Sequence, residues 1–330
     1  MPLPTFPEIQ AKSKELGFQH LGILNLPVLD WGEAEVGLKA WLRQGFHADM
    51  AWMVTHLDKR LKPELLMDGT KSVLCVTMNY NTGPQHPESE AKIARYARGE
   101  DYHRVVKKRL KVLLQWMQSQ DPTLKGRALT DSAPILEKAL AVKAGLGWQG
   151  KHSCLITKDI GSWVFLGELF LNQVVSDAPT PTPITNHCGT CRRCIEACPT
   201  DAIIRDGVID ANRCISYWTI EHKGDAFPEA ITENLNGWLF GCDICQDVCP
   251  WNIKFEQPTQ ESAFEARAWT EKVHLEDLLA LDEATFKTQY QHSPIKRPKL
   301  SGLKRNANEL LKSTKRAAVS ATRFVENRFN

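Results

Sequence analysis

No uncharged apolar stretch in this chain approaches the roughly 18 residues that a membrane-spanning helix requires. Residues 1–25, which begin MPLPTFPEIQAKSKELGF, also lack the basic start and continuous apolar run of a secretory signal. These absences predict a cytoplasmic protein with no membrane partner. Low-complexity tracts are missing, and so is any repeat with a period of roughly 20 to 50 residues, which argues against a solenoid. Net charge is scarce too, at +2 over 330 residues. That figure conceals an asymmetry: Lys287 to Asn330 carry eleven basic residues against Glu309 and Glu326, or +9, so the remainder stands near −7. A basic end on an acidic body is either a solvated tail or a footprint for a polyanion such as nucleic acid.

Cysteine, by contrast, is plentiful. Ten cysteines in a reducing compartment read as ligands or catalytic groups rather than as a disulfide framework. Hydrophobic residues make up 42% of the chain, ample for one large or two medium domains. Apolar periodicity predicts a helix over PEIQAKSKELG (7–17), a buried strand at SVLCVTMNY (72–80) and a basic amphipathic helix at YHRVVKKRLKVLLQWMQ (102–118). A helix over PILEKALAVKAG (134–145) and strands at SCLIT (153–157) and SWVFLGELFLN (162–172) follow. The alternation suggests an α/β or α+β sandwich. VVSDAPTPTPITN (174–186) reads as a proline-rich linker, and beyond residue 255 the signals are mostly helical.

Cys188, Cys191, Cys194 and Cys198, followed by Pro199, have the C-x2-C-x2-C-x3-C-P spacing of bacterial ferredoxins. In that arrangement three thiolates hold one cluster and the fourth reaches across to a second. A second run is therefore expected, and Cys242, Cys245 and Cys249 with Pro250 supply it, with Cys214 between. The crossover assigns Cys188, Cys191, Cys194 and Cys249 to one 4Fe-4S cluster, and Cys198, Cys214, Cys242 and Cys245 to the other. Two structural zinc sites of four cysteines each are the alternative, but zinc ribbons use two C-x2-C pairs across a spacer. Cys75 and Cys154 are left over and read as packed small hydrophobes.

AGLGWQGKH places Gly145, Gly147 and Gly150 as G-x-G-x-x-G and also resembles the start of a P-loop. Both nucleotide readings need a strand before the loop and a helix after it; here a helix precedes, ending at Gly145, and His152 stands where a P-loop needs Ser or Thr. A glycine-rich turn that lets some other ligand approach closely is the remaining reading. Upstream, Asp131 in LTDSAP is either a turn or capping carboxylate, or a general acid whose pKa an enclosed pocket would have to raise.

Taken together, RYARGEDYH (95–103), LTDSAPILEKALAVKAGLGWQGKHSCLI (129–156), the cysteine runs, RCISYWTIEHKG (213–224) and SPIKRPKLSGLKRN (293–306) resemble the epoxyqueuosine reductases, relatives of the reductive dehalogenases. The resemblance covers roughly residues 5–310. It implies an α+β chain: a nitroreductase-like α/β cobalamin-binding domain (1–175), a ferredoxin-like two-cluster domain (176–255) and a helical, basic tRNA-binding segment (256–330). Many members continue into a helical repeat module, whereas this chain runs only to Asn330.

The implied reaction is two-electron reduction of the epoxide on the modified wobble guanosine of tRNA, with Asp131 as proton donor. Electrons would come from an external low-potential donor. Arg60, Tyr96, Gly147, Lys151, His152, Ser153 and Ser216 fall in stretches that resemble those lining the family's cobalamin. Asp101-Tyr-His103 lacks the glycine of the D-x-H-x-x-G motif that supplies cobalt with histidine, so a base-off corrinoid is expected and His103 reads as structural. Lys296, Arg297, Lys299, Lys304 and Arg305 would hold the phosphates of the anticodon stem-loop. The competing readings are a corrinoid and iron-sulfur reductase of a small organohalide or epoxide, and a non-catalytic electron-transfer protein.

Overall fold

Ser72–Asn79 are buried at every position, and the reason is their place inside a four-stranded antiparallel sheet. The strand order is His20–Asn25, Ser72–Asn79, Val164–Leu171, Gly126–Leu129. The computed structural model describes residues 3–26, 31–84 and 89–326, with side chains as far as Thr314. Helices cover both faces of the sheet. Phe6–Glu15 and Tyr102–Gln120 pack on one, where Val106, Leu110, Leu113 and Met117 meet Leu74, Val76 and Leu169. The short helix Glu137–Lys143 packs on the other, with Leu140 and Ala141 against Val73, Cys75 and Phe170. Long apolar strands and a stripe of apolar residues on each helix leave no other stable arrangement. The mixed helix and sheet architecture agrees with the α+β expectation.

The helix expected from Pro134 begins three residues later, at Glu137. Asp131 has φ +48°, in the left-handed region, and the chain from Asp131 to Ile135 runs in bends rather than helix. Gly145, φ +74°, ends the helix as expected, so the glycine-rich turn follows a helix and no P-loop is formed. The 174–186 segment has no helix or strand, but it is anchored: Asp177 Oδ2 accepts from the Phe6 amide at 2.9 Å, and Val175 is buried.

A second core forms where residues 91–97 leave the sheet. Lys92–Ile93 pairs in parallel with Trp238–Phe240, and both pack under the helix Lys299–Glu326 through Leu300, Leu303, Ala307 and Leu310. Among the described residues no helix is long and apolar enough to cross a membrane. One expectation fails in this core. Arg305 is only 8% exposed, and its guanidinium donates to the carbonyls of His222 and Gly224, each at 2.8 Å, and of Trp218 at 3.3 Å. It satisfies carbonyls at the end of a helix and in the turn beyond it, so it is not free to hold a phosphate. Arg305→Ala should lower stability by on the order of 3 kcal/mol, because several carbonyls lose a charged donor. Thermal unfolding should show this drop equally at low and high salt.

Candidate active site and cluster ligands

Asp101 caps the helix Tyr102–Gln120, accepting from the His103 amide at 3.0 Å, and so projects the first two side chains of that helix past its end. Both reach Asp131. The Tyr102 hydroxyl donates to Asp131 Oδ2, and His103 Nε2 lies 3.0 Å from the same oxygen. His103 Nδ1 sits 2.7 Å from Asp101 Oδ1, so the imidazole bridges two carboxylates. Burial opposes its charge, yet the two carboxylates prevail and raise its pKa to about 9. His103, expected to be structural, therefore belongs to the site. An Asp-x-His pattern at a helix start was the signal available in the sequence.

Asp131 itself corrects another expectation. Burial pushes its pKa up, but hydrogen bonds from His103 and Tyr102, with the charges of His103 and Lys138, hold it below the usual carboxylate range. The resting site is a carboxylate beside an imidazolium, and the transferable proton belongs to the pair. Asp131's left-handed backbone, shared by Ser153 at φ +66°, is strain of the kind that persists where surrounding contacts over-determine it. Here the Asp131 amide donates to Glu137.

The residues expected around a corrinoid divide. His152 is buried and its Nδ1 accepts from the Cys154 amide at 3.2 Å, which leaves Nε2 as a donor with no partner among the described residues. Burial and the Lys138 charge lower its pKa to about 4, so it stays neutral. Arg60 is buried with Nε unpartnered, its guanidinium 5.4 Å from the Trp52 ring centroid and close to Glu137 and Asp131. Tyr96 stands edge-on to Tyr102, near Asp131, Glu221 and Arg297. These orphaned donors suit a ligand rimmed with amides, as cobalamin is. Three others are engaged by the protein. Lys151 Nζ pairs with Asp206 at 3.1 Å, and the Ser216 hydroxyl bonds the Cys214 sulfur. A Cβ on Gly147 would stand 2.1 Å from the Ile156 carbonyl, so the close approach it permits is to its own hairpin.

The cysteines gather in two sets. Besides burial, the Cys194 thiol is pushed up by Cys249, Cys188 and Cys191, its nearest charges. Cys242 responds likewise to Cys214 and Cys198, and Cys245 to Cys154, Cys242, Cys214 and Cys198. Among the described residues no three Cys, His, Asp or Glu side chains converge on a single-ion position. Eight thiols in two groups of four suit two clusters. Cys154 joins the two halves of the site, within electrostatic reach of Lys138 on one side and of Asp243, Cys249 and Cys214 on the other.

The basic segment reaches this place. Arg297 forks onto Glu221 at 2.9 and 3.0 Å and feels the charge of Asp131. Lys296 and Lys299 are exposed, and Lys304 is half-buried.

Two sets of four thiols beside a proton-holding carboxylate define an iron-sulfur oxidoreductase. A family model described as "Epoxyqueuosine reductase QueG, DUF1730" matches residues 60–132, and one described as a 4Fe-4S double cluster binding domain matches residues 187–252. An epoxyqueuosine reductase of Gloeobacter violaceus is 42% identical over 312 residues, covering 93% of this chain and 96% of that protein. One from Synechocystis is 45% identical over 289 residues, covering 87% and 98%. The chain belongs to the epoxyqueuosine reductase family. A crystal structure of an epoxyqueuosine reductase with an epoxyqueuosine-modified tRNA-Tyr stem loop is similar at TM-score 0.85 and 26% identity, over 94% of this chain and 82% of that one. The Bacillus subtilis enzyme, solved with its catalytic aspartate loop swung out of the active site, gives 0.84 over the same shares.

Proposed function

We propose that this chain reduces the epoxide of epoxyqueuosine to the alkene of queuosine at the wobble position of tRNA, in the cytoplasm. An external low-potential donor supplies the electrons. The carrying observation is the meeting of three parts: Asp131 with its Tyr102 and His103 partners, the thiol sets approached through Cys154, and Arg297 of the basic segment. A small-molecule reductase has no use for Lys296 and Lys299 beside such a site. The relative solved with a tRNA stem loop and the aspartate loop of the Bacillus subtilis enzyme support the reading.

Opening the epoxide to an alkene and water consumes two electrons and two protons. The cysteine sets hold the clusters that pass electrons singly. Cobalamin would supply a centre that can deliver them as a pair. His152 Nε2 and Arg60 would hold its amide rim, with Tyr96 and Ser153 alongside. Asp131 takes the proton held by His103 and places it on the epoxide oxygen as the carbon–oxygen bond opens. Lys296 and Lys299 neutralise backbone phosphates, while Arg297 stands where the loop enters.

Anaerobic reconstitution with iron, sulfide and cobalamin, followed by nucleoside analysis of epoxyqueuosine-containing tRNA under a strong reductant, tests the reading. Queuosine is the expected product; its absence from a fully loaded enzyme would overturn the proposal. A Lys296→Ala, Lys299→Ala variant should bind the stem-loop more weakly and lower the slope of log affinity against log salt by about 1 to 2. An unchanged slope would mark the segment as a solvated tail.

A further inference from the structure

The reaction consumes two protons, and the Asp131 and His103 pair holds one. Behind Asp131 lies a group that mechanism leaves unused. Glu168 is 1% exposed, in the middle of the sheet, in register with Cys75 on one neighbouring strand and Leu129 on the other. Leu129, Ile135 and Leu140 belong to the apolar cluster on that face. Neither carboxyl oxygen of Glu168 has a hydrogen-bond donor among the described residues. An ionised carboxylate there would be costly, and a protonated one needs an acceptor. Glu137, at the start of the helix packed on this face, is that acceptor: the two carboxyls face each other, and Glu137 also receives the Asp131 amide.

We propose that Glu168 shares its proton with Glu137 behind Asp131 and that Glu137 hands its own proton to Asp131, supplying the second proton the reaction consumes. This rests on the reaction given under Proposed function. In the transfer an O–H bond of Glu137 breaks and one forms on Asp131; the anion left behind is stabilised by Arg60 and Lys138, and solvent later reprotonates it. Burial and then the Asp131 charge raise Glu137 to about 8, and burial and then Glu137 raise Glu168 further. The groups facing the pair are Asp131 from the loop, Lys138 from the same helix, Arg60, Cys75 and Tyr102. Only Arg60 and Lys138 are cationic, which is too little to ionise both carboxyls at neutral pH. Glu137 and Glu168 are positioning and proton-holding residues, since neither is placed on the substrate.

Infrared spectroscopy of the purified wild-type protein tests the shared proton without turnover. A carbonyl stretch of a protonated, buried carboxylic acid is expected at neutral pH, shifting in D2O and fading through about pH 8. Its absence would overturn the proposal. Glu168→Gln, close to isosteric, should weaken the band at neutral pH while both clusters remain visible by their absorption. Single turnover of the pre-reduced holoenzyme should then show little loss at pH 6 and a loss of roughly tenfold or more at pH 8, because Glu137, partly ionised there, no longer has Glu168 to reprotonate it. Equal rates at both pH values, or the same loss at both, would show a packing role only. Should Glu168→Gln fail to fold, Glu137→Gln carries the same comparison. If the wild-type enzyme makes no queuosine, the reaction assignment fails while the infrared titration still decides whether the proton is shared.

Discussion

Asp131→Asn is expected to lose about 10²- to 10⁴-fold in turnover while keeping both clusters and its affinity for the tRNA stem-loop. The substitution removes the carboxylate that relays the His103 proton but retains an oxygen able to accept from Tyr102 and His103, so the loop geometry survives. Affinity should be unchanged because the proposed phosphate contacts are Lys296 and Lys299. The pH dependence separates catalysis from positioning. His103 is raised to about 9 against an ordinary value of 6.5, so its pairing stabilises the fold fully below pH 6.5 and that contribution is lost as pH rises through 9. Asp131 is lowered, so its own contribution is present above its ordinary pKa of 3.8 and disappears in acid below it. Wild-type turnover should therefore fall as His103 deprotonates, and His103→Gln should remove that limb. Full activity in Asp131→Asn would return the residue to the role of a strained turn.

The second large effect concerns the crossed ligand sets. Cys249→Ala should remove the cluster held with Cys188, Cys191 and Cys194, although Cys249 lies only four residues from Cys245. Cys198→Ala should remove the other cluster. Each variant should retain about four iron atoms where the parent holds about eight, and the two surviving signals should differ in electron paramagnetic resonance. Turnover should fall below detection in both, since a relay with one station missing delivers no electrons. The same residual signal in both variants would overturn the assignment. The prediction rests on how the thiols influence one another: Cys194 responds to Cys249, Cys188 and Cys191, whereas Cys242 and Cys245 respond to Cys214 and Cys198.

The sites differ in how readable they were. Strand Ser72–Asn79, the helix from Tyr102 and the glycine end of the helix before Gly147 follow from local apolar spacing and from glycine's tolerance of positive φ. Pro134 misled because it suits a first helical turn; the left-handed residue at Asp131 spends those positions in a loop instead. Arg305 misled for a different reason. A basic residue in a basic segment reads as surface, and only the packing of the last helix shows it turned inward onto the carbonyls of His222 and Gly224.

The sequence by itself determined the electron-carrying half of the molecule. Thiolate spacing within eleven residues is a local property, and it specifies cluster chemistry before any fold is known. Proton delivery was decided by tertiary structure alone. Tyr102 and Asp131 are 29 residues apart, Arg297 and Glu221 are 76 apart, and Glu168 meets Glu137 only because a central strand passes beneath a short helix. A carboxylate's role depends on which charges and donors face it, and those neighbours come from distant parts of the chain.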